Sequence, residues 1–586
     1  MSCELIYMFF NRIESLPYLQ NQGIRLSNKY DIKVDVDGFG YCTNIYISEK
    51  EDIYENIYSN VIKNINVLVG INGMGKTTLL NIVGSTRNER KSKLSQWVFF
   101  CIYKVDDYFV IEGNDKDFIK EAVDNFEHPH GIHPEYSIKC SYNFDKQRFC
   151  FENLCFEMDK ESSINKILYY KDRSNHLVGW SNKNNRYDDA TDYNVFVERQ
   201  IISPSPLNIC KYINSINSDK NWGDFRLPHI SLVLSIDGMS RKNYRWNGYD
   251  VGFEKKTFIV QFLLAYASDN YYDLDDNNLG ALRELEIQLD KKSYDNGLEY
   301  KDIDNYINLI LLKYDKDIHK ELLEFIDILL NLDDSYFLLT SSHWQLTKAN
   351  IKSGCIGLRF DVTDMMYKYL LECADKIIGI NNTLKVTYPH MSAGELKMID
   401  IFASIASYSV GKGNHYIVLL DEPEKSLHPE MSRCFIENLK RYAIMLSKEV
   451  NCTFQFIIST HTPFLISDVP KPYIHCLKRN TMGEIIIENA GMGLLSNIHD
   501  IMKDTFFLEK PFGEFSNEYF NSVVEQIKGL EEGNKKRVRK IIDDIDEPTI
   551  YTYLNKKYNE RINEISTNDE LILYYEEQIA KLKEKK

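Results

Sequence analysis

Between positions 65 and 80 an apolar run, a glycine loop and a helical pattern follow one another without a break: Ile65-Asn66-Val67-Leu68-Val69, then Gly70-Ile71-Asn72-Gly73-Met74-Gly75-Lys76-Thr77, then Thr78-Leu79-Leu80. Gly70 to Thr77 match the pattern G-x-x-x-x-G-K-[ST], and no other stretch of the chain limits its fold so sharply. Glycines let successive backbone N–H groups turn inward around a polyphosphate, and the helix opening near Lys76 adds the positive end of its dipole. The lysine sets an ammonium against the β- and γ-phosphates, and the threonine offers a hydroxyl to Mg²⁺. The order strand, loop, helix points to an α/β fold in which Asn72, Gly73, Gly75, Lys76, Thr77 and Thr78 are expected to bind ATP.

A second apolar run, Tyr416 to Leu420, ends in Asp421-Glu422. Beside a phosphate loop, a carboxylate at the end of a buried strand holds the metal's water shell, and its neighbour orients or deprotonates the attacking water. Asp421 is expected in the first role and Glu422 in the second; an acidic turn after an ordinary strand is the plain alternative. A third run, Phe454 to Ser459, leads into Thr460-His461-Thr462-Pro463. His461 stands where a γ-phosphate sensor is wanted, although a histidine in this position also serves as a solvated turn residue. Ser392-Ala393-Gly394-Glu395 has the form of a capping box, with the Ser392 hydroxyl accepting from a first-turn N–H and Glu395 reaching back to the Ser392 amide. Such a helix start is also an anion site.

A chain of 586 residues has room for about four domain-sized units, or for one large domain with insertions. Strand patterns fill residues 1–70, and the N-terminal lobe with the glycine loop is placed at 1–90. A mixed, polar and acidic insertion comes next, over 91–385. Within it Ile303, Ile307, Ile310, Tyr314, Ile318, Leu322 and Phe325 recur at helical spacing, without the sustained heptads of a coiled-coil arm. The second lobe spans 386–490, and 491–586 reads as helical. With a net charge of −16, no global field draws nucleic acid to the chain, so any such contact is local. The twelve cysteines form no Cys-x-x-Cys pair, and no window approaches a membrane span. A cytoplasmic protein without a membrane partner is expected.

Taken in order, "GINGMGKTT", "MSAGE", "LLDEPEKSLHP" and "STHTPFLISD" resemble the four motifs of the ABC-type ATPases, in particular their soluble branch of SMC-like and OLD-like proteins. The resemblance implies an ABC-type P-loop head split by a large helix-rich insertion, with a helical C-terminal region. It also implies a homodimer or higher oligomer in which two heads sandwich two nucleotides. Ser392 and the Gly394 amide would then bind the γ-phosphate of a neighbour's ATP, while Thr77 and Asp421 serve Mg²⁺ and Glu422 and His461 handle the water. Ala393 replaces the first glycine of the usual signature pair, and Gln200 is a candidate for the glutamine loop. "DEPEKSLHPE", "STHTPFLISDVP" and "NIHDIMKDTFFLEKPFGEF" are similar to segments of ATPases from bacterial anti-phage systems of the Septu and retron-associated type, which implies a partner nuclease of the HNH type. An SMC-like ATPase of DNA repair is the alternative. A transporter subunit is disfavoured by the long separation of Lys76 and Ser392.

Four other features have plainer readings. His128, His130 and His133 lie in a His- and Pro-rich loop with no completed ligand set. "DLDDNN" lacks the glycine and terminal glutamate of a calcium loop. Asp544-Ile545-Asp546 has the form of a nuclease Asp-x-Asp, but Val538, Ile541, Ile542 and Ile545 mark an amphipathic helix there. The basic run Lys535, Lys536, Arg537, Arg539 and Lys540, like "RNERKSK" after the glycine-loop helix, is a solvated face or a nucleic-acid contact.

Overall fold

The computed structural model describes residues 3–85, 94, 96–127, 135–155, 165–170, 198–202, parts of 207–213, 231–236, 253–269, scattered positions in 284–309, 320–339, 356–361, 365–377, 380–388, 391–409, 414–506, 513–531 and 533–583. They form two compact units, Met1–Phe506 and Phe507–Lys586. In chain order the strands of the first are β1 (Cys3–Arg12), β2 (Gln22–Arg25), β3 (Tyr30–Val36), β4 (Cys42–Glu49), β5 (Ile62–Gly70), β6 (Val98–Val105), β7 (Tyr108–Asn114), β8 (Val123–Asp124), β9 (Glu135–Asn143), β10 (Arg148–Leu154), β11 (Asn165–Tyr170), β12 (Glu198–Ile201), β13 (Ser231–Ile236), β14 (Phe337–Leu339), β15 (Ile356–Asp361), β16 (Leu384–Thr387), β17 (His415–Asp421), β18 (Thr453–Ser459), β19 (Ile474–Arg479) and β20 (Ile485–Asn489). The helices used below are α1 (Lys76–Gly84), α2 (Phe253–Asp269), α3 (Lys320–Asn331), α4 (Met365–Ala374), α5 (Ala393–Tyr408), α6 (Pro429–Arg433), α7 (Phe435–Val450) and α8 (Pro463–Ile466).

The central sheet has the order β12-β11-β17-β18-β5-β19-β20. All its pairings are parallel except that of the edge strand β20. Strands of a parallel sheet are covered on both faces and so read as unbroken apolar runs. Here the period of two divides each run between two cores. Ile65, Val67 and Val69 of β5, with Tyr416, Val418 and Leu420 of β17, enter one core; Leu68, Ile417 and Leu419 enter the other. The first core is closed by α5 and α7, where Phe402, Phe435 and Tyr442 interlock with Tyr212 at ring separations of 5.0–6.2 Å. The second is filled by α1, through Leu79, Leu80, Ile82 and Val83. At the end of α1 a Cβ on Gly84 would meet Tyr169 Cδ1 at 2.5 Å and Leu419 Cδ1 at 2.7 Å, so only glycine lets the helix lie this close to the sheet.

A second seven-stranded sheet, β2-β1-β6-β7-β9-β10-β8, covers α1 from its other side, with Leu5, Phe10, Phe99 and Tyr103 in the same core. Its outer face is covered by the β3–β4 hairpin through Ile45 and Ile47. Polar side chains stitch the two sheets together. Gln455 of β18 both accepts from the Leu5 amide (2.9 Å) and donates to the Leu5 carbonyl (2.8 Å). Asn64 donates to Glu4, Asn66 donates to Asn64, and His475 lies 3.0 Å from Asn66 Oδ1.

The segment 91–385, expected as a single insertion, is divided in the fold. Residues 98–154 carry five of the seven strands of the antiparallel sheet, and β11 and β12 lie in the central sheet beside β17. The reason is pairing: β6 and β7 form a hairpin on β1 through a turn at Asp106-Asp107, with Asp106 at φ 39°. A further part of the segment forms a four-stranded antiparallel sheet, β14-β15-β13-β16, with α2, α3 and α4, and its Phe258, Phe325, Leu358 and Tyr367 join the core on the first face of the central sheet. Its edge strand β16 pairs antiparallel with β13, Leu384 opposite Ile236 and Thr387 opposite Val233. His128, His130, His133, "DLDDNN" and "RNERKSK" lie outside the described residues.

The second unit contains α9 (Glu514–Lys528), α10 (Lys535–Asp543) and α11 (Pro548–Lys583), joined by Val523, Ile527, Val538, Ile542, Leu554 and Tyr558. Val538 and Ile542 form the buried stripe of α10, Asp544 caps its end, and Asp546 falls in the turn before α11. Of the basic run, Arg539 is paired with Asp543 at 2.6 Å and lies over the Tyr558 ring.

Candidate functional site

The parallel register brings three strand ends to one edge. Asp421 pairs with Ser459, and Ser459 with Leu68, two residues before β5 gives way to the glycine loop. In an open parallel sheet, ligands bind outside the carboxyl ends of the strands. Gly70, Gly73 and Gly75 supply the turns of the loop. Gly73 and Gly75 have φ of 81° and 96°, in the left-handed region that side chains avoid. At Gly75 a Cβ would also meet Leu16 Cδ1 at 2.2 Å. Asn72 and Gly73 are exposed, while Thr78 is half-buried in the first turn of α1.

Lys76, 5% exposed, folds back over the loop and donates to the Gly70 carbonyl at 2.8 Å. Burial pulls its ammonium below the ordinary lysine range, and the nearby Glu422, Asp421 and Glu424 act in the opposite direction. Thr77 Oγ1 donates to Asp421 Oδ1 at 3.1 Å, and Ser459 Oγ donates to the same oxygen. A hydroxyl and a carboxylate oxygen side by side suit Mg²⁺, a hard cation that completes its shell with water and substrate phosphate and needs no all-protein cage. Among the described residues no group of three or more His, Cys, Asp or Glu side chains forms such a cage.

Glu422 sits at φ 45°, a strained backbone for a residue with a side chain. Its amide is held by both the Ser459 carbonyl (3.1 Å) and Ser459 Oγ (3.0 Å). The strained turn aims the carboxylate at His461, whose Nε2 lies 3.0 Å from Glu422 Oε1 with both side chains about one-third exposed. Burial and then the Lys76 charge lower the His461 pKa, while Glu422 and Asp421 raise it. A neutral ring with its proton on Nε2 donates to the carboxylate.

Two residues of the site carry no signal of their own in the sequence. Ser459 organises Asp421 and Glu422 together, as the parallel register of β17 and β18 alone reveals. Glu424 reads as part of the loop after the strand, yet its Oε1 accepts from Thr460 Oγ1 (2.6 Å) and from the His461 amide (2.7 Å).

Ser392 heads a helix. It caps α5 as a full capping box: Glu395 N donates to Ser392 Oγ at 3.2 Å, and Ser392 N donates to Glu395 Oε2 at 2.8 Å. It is exposed, and these hydrogen bonds stay within its own helix start. Gly394 is buried, with a Cβ position only 3.2 Å from the Ser426 carbonyl and from Met431 Sδ, so the start of α5 rests on the loop that follows Glu424. Gln200 lies on β12, at the edge of the central sheet, opposite Leu168. The side chain of its neighbour Arg199 is buried, paired with Glu112 at 2.8 Å and donating to the Val83 carbonyl at the end of α1.

No helix of the described residues is long and apolar enough to cross a membrane. No curated protein matches the chain. A family model described as "AAA ATPase domain" matches residues 33–466, taking in the glycine loop, Asp421-Glu422 and His461. On that match over most of its length, and with a phosphate loop facing a carboxylate pair across one sheet edge, the chain belongs to the AAA ATPase domain family.

Proposed function

We propose that the chain binds ATP with Mg²⁺ at the carboxyl edge of the central sheet, hydrolyses it, and uses the cycle as a dimeric switch on a partner nuclease. The observation that supports the ATPase reading best is the paired geometry of Thr77 with Asp421 and of His461 with Glu422. The loop amides and Lys76 would hold the β- and γ-phosphates, Lys76 exchanging its contact with Gly70 for a phosphate oxygen. Thr77 and Asp421 would hold Mg²⁺, which when bound neutralises charge on the phosphate oxygens. Glu422 would take a proton from the attacking water, and His461 would release Glu422 and turn to the γ-phosphate. Ser392 and the Gly394 amide would meet the nucleotide of a second copy, consistent with the exposure of Ser392.

Lys76→Ala is expected to weaken nucleotide binding at least ~100-fold, and Glu422→Gln to keep binding while hydrolysis slows ~10²–10⁴-fold. Normal affinity in the first variant would count against the phosphate loop, and an unchanged rate in the second would remove Glu422 as base. The control of an HNH-type nuclease in an anti-phage system rests on the sequence resemblance. It is tested by co-purification with the product of the adjacent reading frame: a small HNH protein supports it, and a membrane protein would overturn it.

A further inference from the structure

Glu424 has no place in the scheme above, and its surroundings give it one. It stands two residues after Glu422 in the chain and is half-buried. One carboxylate oxygen, Oε1, takes hydrogen bonds from Thr460 Oγ1 at 2.6 Å and from the His461 backbone N–H at 2.7 Å. The other, Oε2, is shielded from solvent and has no hydrogen-bond partner among the described residues. Burying a carboxylate costs free energy unless hydrogen bonds offset it, and here only Oε1 is so compensated. Both bonds fall on the two residues that follow β18, Thr460 and His461, and set the direction of the His461 side chain. Thr460 Oγ1 in turn accepts from the Thr462 amide at 3.0 Å, so the turn on both sides of His461 is referred to a single acceptor.

We infer that Glu424 is a positioning residue for hydrolysis: it fixes the Thr460–His461 turn so that His461 Nε2 meets Glu422. The inference rests on the ATPase reading of the site. Its reach extends further along the chain. The Leu427 amide donates to the Glu424 carbonyl at 2.9 Å, and Ser426, at φ 74°, presents its carbonyl to the Gly394 position at the start of α5. The carboxylate therefore links two strand ends at one site, and its own backbone carries the loop on which the Ser392 cap rests.

The test uses the full chain in steady-state ATP hydrolysis with Mg²⁺, alongside nucleotide affinity for each variant. For Glu424→Ala, kcat is expected to fall about 100-fold, the cost of a displaced reacting group, with KM and nucleotide affinity within about threefold of the unaltered chain. Glu424→Gln keeps an acceptor at the Oε1 position and is expected to restore kcat to within about fivefold, while Thr460→Val, which removes one of the two donors, falls about tenfold. Unchanged kcat in Glu424→Ala overturns the inference, and so does a Glu424→Gln variant as impaired as Glu424→Ala. Equal losses of affinity and kcat would mark general damage to the fold and overturn it as well. An unaltered chain that hydrolyses no faster than Lys76→Ala would sink the ATPase reading itself, and the inference with it.

Discussion

The Arg199–Glu112 pair gives the sharpest stability prediction. The two side chains are 3% and 4% exposed and meet at 2.8 Å, and Arg199 Nε also donates to the Val83 carbonyl at 2.7 Å. The pair thus joins the edge of the central sheet, the antiparallel sheet and the last turn of the phosphate-loop helix. Removing one member of a buried pair leaves the other charge uncompensated, at a cost of about 3–5 kcal/mol. Arg199→Met should show that loss. Replacing both, as Arg199→Met with Glu112→Leu, removes the stranded charge; what remains, in both variants, is the loss of Arg199 as a donor to the Val83 carbonyl and to the Tyr103 hydroxyl at 3.4 Å, about 1–3 kcal/mol for a buried polar group left unpaired. The double variant should therefore recover about 2 kcal/mol or more relative to Arg199→Met. Equilibrium urea denaturation followed by tryptophan fluorescence reads the difference as a change in midpoint at constant slope. If the double variant is no more stable than Arg199→Met, the buried charge is not what the pair neutralises, and the reasoning fails.

Ser392→Ala loses a cap that contributes about 1 kcal/mol to α5, and should keep nucleotide binding by the single chain while impairing ATP-driven dimerisation in light scattering; loss of helix stability alone would return Ser392 to a cap. Stability should also fall on acidification, because burial lowers His475 to about 3 and His415 to about 4. Both rings stay neutral in the fold and protonate in the unfolded chain below about pH 6.5, so the unfolded state binds more protons there and stability drops as pH falls. At pH 5 each histidine withdraws about 2 kcal/mol relative to pH 7.5, and His475→Gln should roughly halve the effect measured by urea midpoints at the two pH values.

The phosphate loop, the acidic strand end and the His461 turn are legible in the sequence because each is a local event: a glycine pattern or an apolar run that stops at a polar residue. The capping box at Ser392 is legible for the same reason. Local pattern cannot carry which strand lies beside which. β11 and β12 are short, sit among polar residues, and owe their place to parallel pairing with β17, which leaves no turn signature between partners. Residues 98–154 do carry a hairpin signal at Asp106-Asp107, hidden by the polar residues on its C-terminal side. Gln200 stands out in the sequence as an amide near an expected site, whereas its neighbour Arg199 holds the buried pair. Glu424 illustrates the limit most directly, since only the approach of β18 to the turn after β17 distinguishes it from any acidic loop residue.

The position of β5 has a consequence for how the chain is made. Its two sheet neighbours are β18 and β19, and Asp421, the partner of Thr77, lies 344 positions downstream. At ~5–20 residues per second, synthesis of that interval alone takes roughly 17–70 s, during which the phosphate-loop strand has neither flank. Leu68 is meanwhile sheltered by α1 and the early antiparallel strands, whereas Ile65, Val67 and Val69 face the core that α5 and α7 close and must wait for those helices or be held by a chaperone. Nascent chains stopped before Thr453 would therefore carry the glycine loop's sequence without its shape, and a nucleotide added to the ribosome-bound product would find its cradle only after the second half has emerged.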